Sequence, residues 1–157
     1  MSSSEAIAQP KRSGGTPPAL MIVEVAGQSQ ESLQKFFIEQ GFRTLLTQDP
    51  QRALMRFKTW PRPNFLLISG QVLQEPAVEL FNQFSQDPYL AKVPVLMIGS
   101  RSRQEFFLAE AKTDAFRKVL LMPFKGKSLL QVVRALLSAS ASLEEPPPAA
   151  APLGETD

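Results

Sequence analysis

Four short runs of uninterrupted apolar residues, Leu20–Val23, Phe65–Ile68, Val95–Ile98 and Val119–Leu121, alternate with longer amphipathic segments. A strand that is apolar at every position must be covered on both faces, as in parallel sheets flanked by helices. A more polar segment, Arg43–Leu46, reads as a fifth strand at the sheet edge, where continuous burial is not required. The intervening helices carry their own signals. Ser29 is expected to cap the segment Glu31–Gln40, in which Leu33, Phe36 and Phe37 share a face and Gly41 ends the run. Asp49 before Pro50 places a capping carboxylate ahead of a proline at the first helical position, and Ala53, Leu54 and Phe57 follow at helical spacing. Val78, Leu80 and Phe81 mark a third helix that ends before Asp87–Pro88. Ser102 and Glu105 form an S-x-x-E capping box for a fourth, and Ser128–Ser138, with Leu129, Val132, Val133 and Leu136 inward, is the fifth.

Short connections and right-handed crossovers turn this alternation into an α/β fold. The expected architecture is a (βα)5 doubly wound, parallel five-stranded sheet in the order 2-1-3-4-5, three layers deep (α/β/α). Any functional crevice would then lie at the carboxyl ends of the strands.

The hydrophobic content, 43% over 157 residues, supports one domain with a sizeable core at 19–138. Residues 1–18, rich in Ser, Gly and Pro, are expected to be a disordered leader, and 139–157 a disordered, acidic Pro/Ala-rich tail. The prolines of that tail lack a PxxP context with flanking bases. The chain contains neither Cys nor His, which excludes disulfides, thiol chemistry, His-based triads and the usual zinc sites. No metal site and no cofactor are expected. The opening residues lack the apolar core of a signal peptide, and no apolar run approaches the ~20 residues of a membrane span, so a cytoplasmic protein without membrane contact is expected. The net charge of +2 arises from a basic body and a tail holding Glu144, Glu145, Glu155 and Asp157 without a base. The bases of the body are interspersed with acids and form no block, which favours a solvated surface over a nucleic-acid interface.

The residues themselves resemble a known family, the receiver domains of response regulators (CheY-like, flavodoxin-like). Leu20–Val25 (LMIVEV) resembles the first strand of that family, where an apolar run ends in two adjacent acids. Pro63–Ser69 (PNFLLIS) resembles the third strand, which leads to the phospho-accepting Asp. Ser85–Ser100 (SQDPYLAKVPVLMIGS) is similar to the D-P-x-L linker and fourth strand, which ends in Thr or Ser. Val119–Leu137 (VLLMPFKGKSLLQVVRALL) resembles the fifth strand, its Lys-Pro-Phe motif and the last helix. The likeness spans Ala19 to Leu137.

Its departures are as informative as its matches. Against the family pattern, the phospho-acceptor position carries Ser69, and the acid pair is reduced to Glu24 followed by Val25. Gly99 stands at the hydroxyl position and Met122 at the lysine position. The resemblance implies a metal-assisted phosphoryl transfer that needs a carboxylate nucleophile, a Mg²⁺ held by carboxylates, and donors for the phosphoryl oxygens. Here Ser69 replaces the nucleophile, Glu24 is the single carboxylate where the family uses three, and Gly99 and Met122 supply no donor. The family's switch, a hydroxyl after the fourth strand working with an aromatic in the fifth, is replaced by Gly99 and Val119.

The expected function is therefore a non-enzymatic pseudo-receiver, an adaptor in bacterial two-component signalling or phosphorelay that binds another signalling protein or forms a homodimer. The alternative is a strand-end crevice that takes a small anion or nucleotide-type ligand on Glu24 and Ser69, beneath a rim of Arg101, Arg103, Lys125 and Lys127. Gly126–Ser128 (GKS) has the ending of a phosphate-binding loop, but the pattern requires a glycine where Leu121 stands, so a helix-opening turn is expected. Adjacent Phe106 and Phe107 point about 100° apart on a helix, too wide for one narrow core stripe. With Val119, Leu130 and Leu137 they define a candidate interaction face on the fourth helix, fifth strand and fifth helix.

Overall fold

The computed structural model describes residues 17–141. The elements in order are β1 (Ala19–Val23), α1 (Gln28–Glu39), β2 (Arg43–Thr47), α2 (Pro50–Phe57), β3 (Phe65–Ser69), α3 (Gly70–Leu73), α4 (Glu75–Gln86), β4 (Val95–Ser100), a 3₁₀ turn (Arg101–Arg103), α5 (Gln104–Glu110), β5 (Arg117–Met122) and α6 (Gly126–Ala141). The five strands are all parallel and lie in the order β2-β1-β3-β4-β5, as the sequence predicts.

Alternation along the strands divides the core in two. Met21, Val23, Leu66, Ile68, Val95 and Met97 face one side and pack with Ala53, Phe57, Val78, Phe81, Phe84 and Phe107 of α2, α4 and α5. Leu20, Ile22, Phe65, Leu67, Leu96 and Ile98 face the other and pack with Phe37 of α1 and Leu129, Val133 and Leu136 of α6. Burial of each such side chain contributes roughly 1.5–3 kcal/mol, so the apolar runs are explained by demand from both faces. Strand β2 lies at an edge and is partly exposed.

Several local expectations require correction. Helix α1 starts earlier than a Ser29 cap would allow: its N-cap is Gly27, and Ser29 lies in the first turn. The Gln30 amide, turned inward, donates to the Glu24 carbonyl at 2.9 Å and anchors that earlier start. The Ser102–Glu105 capping box does not form. Ser102 sits in the 3₁₀ turn with its hydroxyl 2.8 Å from that of Ser100, and α5 begins at Gln104 without a side-chain cap. The proposed cap at Asp49 is present, its carboxylate accepting from the Gln51 amide at 2.9 Å. A short helix, α3, follows β3 directly and had no sequence signal. Helix α6 continues past Ser138, so the boundary expected at 139 lies inside it; Ser140 is buried and its hydroxyl donates to the Lys92 carbonyl at 3.1 Å. The remainder of the expected leader and tail, 1–16 and 142–157, lies outside the described residues.

Arg117 opens β5 from a buried position. Its guanidinium bonds the Val93 carbonyl at 3.1 Å and meets Asp114 in an ion pair of 2.8 Å. Removing one partner of a buried pair leaves a charge without compensation, typically a loss of about 3–5 kcal/mol. The Asp114 side chain is 40% exposed. Asp114→Ala is therefore expected to lower stability by a smaller amount, about 2–3 kcal/mol in urea unfolding; a loss below about 0.5 kcal/mol, the usual size of surface effects, would contradict this role.

Candidate functional site

The sheet register brings the predicted residues to one edge. Val23 pairs with Ile68, Ser69 with Ile98, Gly99 with Leu121, and Ser100 with Met122. Glu24, Ser69, Gly99 and Met122 thus share the carboxyl edge of the sheet, with Val25 half-buried beyond Glu24.

Glu24 and Ser69 are both buried. The Glu24 backbone amide donates to the Thr47 carbonyl at 3.1 Å, and its Oε1 accepts from the Val25 amide at 3.1 Å. Part of the carboxylate's hydrogen-bonding capacity is thereby used by its own neighbour. Met122 packs with Leu120 and Phe124 against the core on the α1/α6 side, which gives its thioether a packing role. Among the described residues no group of three His, Cys, Asp or Glu side chains comes together as a metal site. A hard cation such as Mg²⁺, which sheds water reluctantly, does not fit a donor set of one partly engaged carboxylate and a serine hydroxyl.

The ends of β3 and β4 are occupied instead by an aromatic ring. A Cβ placed on Gly99 would lie 2.7 Å from Cδ2 of Phe107, and one on Gly70 would lie 2.8 Å from its Cε1. Both distances are below any tolerated carbon–carbon contact, so the ring rests directly on the two glycine backbones. Phe107 is 0% exposed. It therefore leaves the candidate interaction face, to which its position beside Phe106 had assigned it. The reason is geometric: the two glycines open a socket in the sheet edge, and burial of a phenyl ring there outweighs its exposure on α5. Ala111, one turn further on, is buried beside it. Phe106, Val119, Leu130 and Leu137 are half-buried, while Leu108, which sequence reasoning passed over, is 55% exposed. The i, i+4 pairing of Phe107 with Ala111 is the signal that would have turned Leu108 outward.

The four bases proposed for the rim are all exposed, Arg101 and Arg103 on the β4–α5 connection, Lys125 between β5 and α6, and Lys127 in the first turn of α6. Arg103 is engaged. Its guanidinium lies 4.6 Å from the Phe106 ring centroid and donates to Oε1 of Gln74. Gln74 joins α3 to α4 with a φ of 48°, a conformation that costs a non-glycine residue about 1–3 kcal/mol. Arg103 thus clasps the α3–α4 junction to the start of α5, over the same edge that Phe107 fills.

No family model matches this sequence, and no curated protein matches it. Solved structures do. The signal receiver domain of a signal transduction histidine kinase from Syntrophus aciditrophicus is similar at 23% identity with a TM-score of 0.66, over 77% of this chain and 90% of that one. A response regulator receiver protein from Sinorhizobium medicae WSM419 is similar at 14% identity and a TM-score of 0.66, over 79% and 97%. The receiver domain of a sensor histidine kinase from Pseudomonas aeruginosa PAO1, solved with a magnesium ion in its active-site cleft, is similar at 15% identity and a TM-score of 0.64, over 78% and 98%. The fold is that of receiver domains, of flavodoxin-like topology.

If Phe107 fills the place of a side chain at position 99, the two sites must be coupled. Gly99→Thr is expected to destabilise the protein by about 1–3 kcal/mol through overpacking, and Phe107→Ala by about 3–5 kcal/mol through the cavity it leaves. Combined, the two substitutions should cost at least about 1 kcal/mol less than the sum in urea unfolding, whereas strict additivity would contradict the socket.

Proposed function

We propose that this protein is a receiver-like signalling module that does not accept a phosphoryl group and acts by binding, through its helical surface, another signalling protein or a second copy of itself. The observation that carries this reading is the buried Ser69 at the end of β3, where the likeness to receiver domains puts the phospho-accepting carboxylate. A serine hydroxyl is a weak nucleophile without an adjacent base, and the chain has no His to serve as one. Glu24 is the only acid left of the cluster that the likeness implies, and Met122 supplies no cation for a phosphoryl oxygen. The reading is accordingly non-enzymatic and needs no metal or cofactor.

A constitutive shape follows from the same residues. The hydroxyl and aromatic of the family's switch are absent at Gly99 and Val119, and Phe107 already occupies the space beside Gly99. The binding surface proposed is the α5–β5–α6 face, formed by Phe106, Leu108, Val119, Leu130 and Leu137. Among the described residues no helix is long and apolar enough to cross a membrane, and a cytoplasmic setting accords with the proposed role. A small-anion site on Glu24 and Ser69 is disfavoured by the ring that fills the neighbouring socket and by the engagement of Arg103 with Gln74.

Incubation with acetyl phosphate, or with beryllofluoride and Mg²⁺, tests the reading. Intact mass and the two-dimensional amide spectrum are expected to stay unchanged. A mass gain located at Ser69, or a Mg²⁺-dependent spectral change around β3 and β4, would overturn it.

A further inference from the structure

At the amino edge of the sheet, away from the closed crevice, the α2–β3 and α4–β4 connections build an exposed aromatic platform. Trp60 is 45% and Tyr89 38% exposed. The guanidinium of Arg62 lies over both rings, 5.7 Å from the Trp60 centroid and 5.0 Å from that of Tyr89, and its Nη1 donates to the Tyr89 carbonyl at 2.8 Å. Among the described residues no carboxylate forms an ion pair with Arg62. Asp87, two residues from Tyr89, is taken by Lys58 at 3.4 Å and by the Tyr89 amide at 2.9 Å. Arg62 is thus held over two rings with its charge unmatched among the described residues. Exposed aromatics in this arrangement suit proline rings, and a guanidinium suits a carboxylate.

Both chemistries occur together just beyond α6. Glu144, Glu145, Pro146, Pro147 and Pro148 follow within a few residues of Ala141. The end of helix α6 lies near the platform, because Ser140 is bonded to the carbonyl of Lys92, three residues from Tyr89. Those three residues span at most about 11 Å, and the five from Ala141 to Pro146 reach about 17 Å when extended. The other end of the chain also emerges at this edge, through Pro17 and Pro18 ahead of β1, but it carries Lys11 and Arg12, of the wrong sign for Arg62.

We propose that Trp60, Arg62 and Tyr89 form a docking site for the chain's own segment Glu144–Pro148, with a proline on the rings and a glutamate on the guanidinium. The short connection gives the segment an effective concentration in the millimolar range, so even a weak site is substantially filled.

Trp60 is the only tryptophan, so its fluorescence reports this site alone. In the full-length protein, acrylamide quenching of Trp60 is expected to strengthen about two-fold or more when Glu144→Gln and Glu145→Gln are combined with Pro146→Ala, Pro147→Ala and Pro148→Ala, as the filled fraction falls. These substitutions leave every described residue unchanged, and the far-ultraviolet circular dichroism of the two proteins is expected to agree. Added salt should strengthen quenching in the unsubstituted protein only. Equal quenching of the two proteins would overturn the proposal. So would protection that disappears on dilution, which would assign the platform to a second copy.

Discussion

The seating of one phenyl ring on two glycine backbones governs the carboxyl edge of this fold. Phe107 can descend from α5 to the ends of β3 and β4 only because Gly70 and Gly99 present no side chains there. Once it is seated, α5 is fixed against the sheet, Phe106 is turned to meet Arg103, and Arg103 reaches Gln74 at the α3–α4 junction. The space next to the buried Ser69 is therefore filled by hydrocarbon from the protein itself. Position 99 is where the family resemblance implies a hydroxyl, and here glycine is demanded by packing.

The two ends of the sheet consequently differ in character. At the carboxyl end, buried Glu24 and Ser69 lie among backbone bonds and apolar packing, and the surrounding bases are exposed or engaged with other residues. At the amino end, buried Arg117 at the start of β5 pairs with the partly exposed Asp114, while the guanidinium of Arg62 lies over Trp60 and Tyr89 at the surface. Shape and charge are thus presented at both ends of this receiver fold, and surfaces of that kind are what the proposed binding module requires.

Much of this architecture is legible in the residues. The apolar runs at β1, β3 and β4 identify strands covered on both faces, and the polar Arg43–Leu46 finds its place at the edge. Asp49–Pro50 caps α2 as its chemistry dictates, and Gly41, with φ of 96°, ends α1 as a glycine should. Ser29 and Ser102 have the chemistry of caps, yet Gln30 and the 3₁₀ turn move the helix starts away from them. Ser69, Glu24, Gly99 and Met122 could be placed on one edge from strand order alone. The burial of Phe107 could not be, because it depends on Gly70 and Gly99, distant in sequence and brought together only by strand pairing. The outward direction of Leu108, by contrast, has a local signal in the i, i+4 pairing of Phe107 with Ala111.

The proposal that this edge does not carry out phosphoryl transfer is most directly tested through the first requirement of that chemistry, the divalent cation. Titration of the isotopically labelled protein with Mg²⁺, followed at the amides of Glu24, Ser69, Gly70 and Gly99, should produce no saturable shift. A saturable shift at these four amides, absent when Glu24 is changed to Gln, would contradict the proposal.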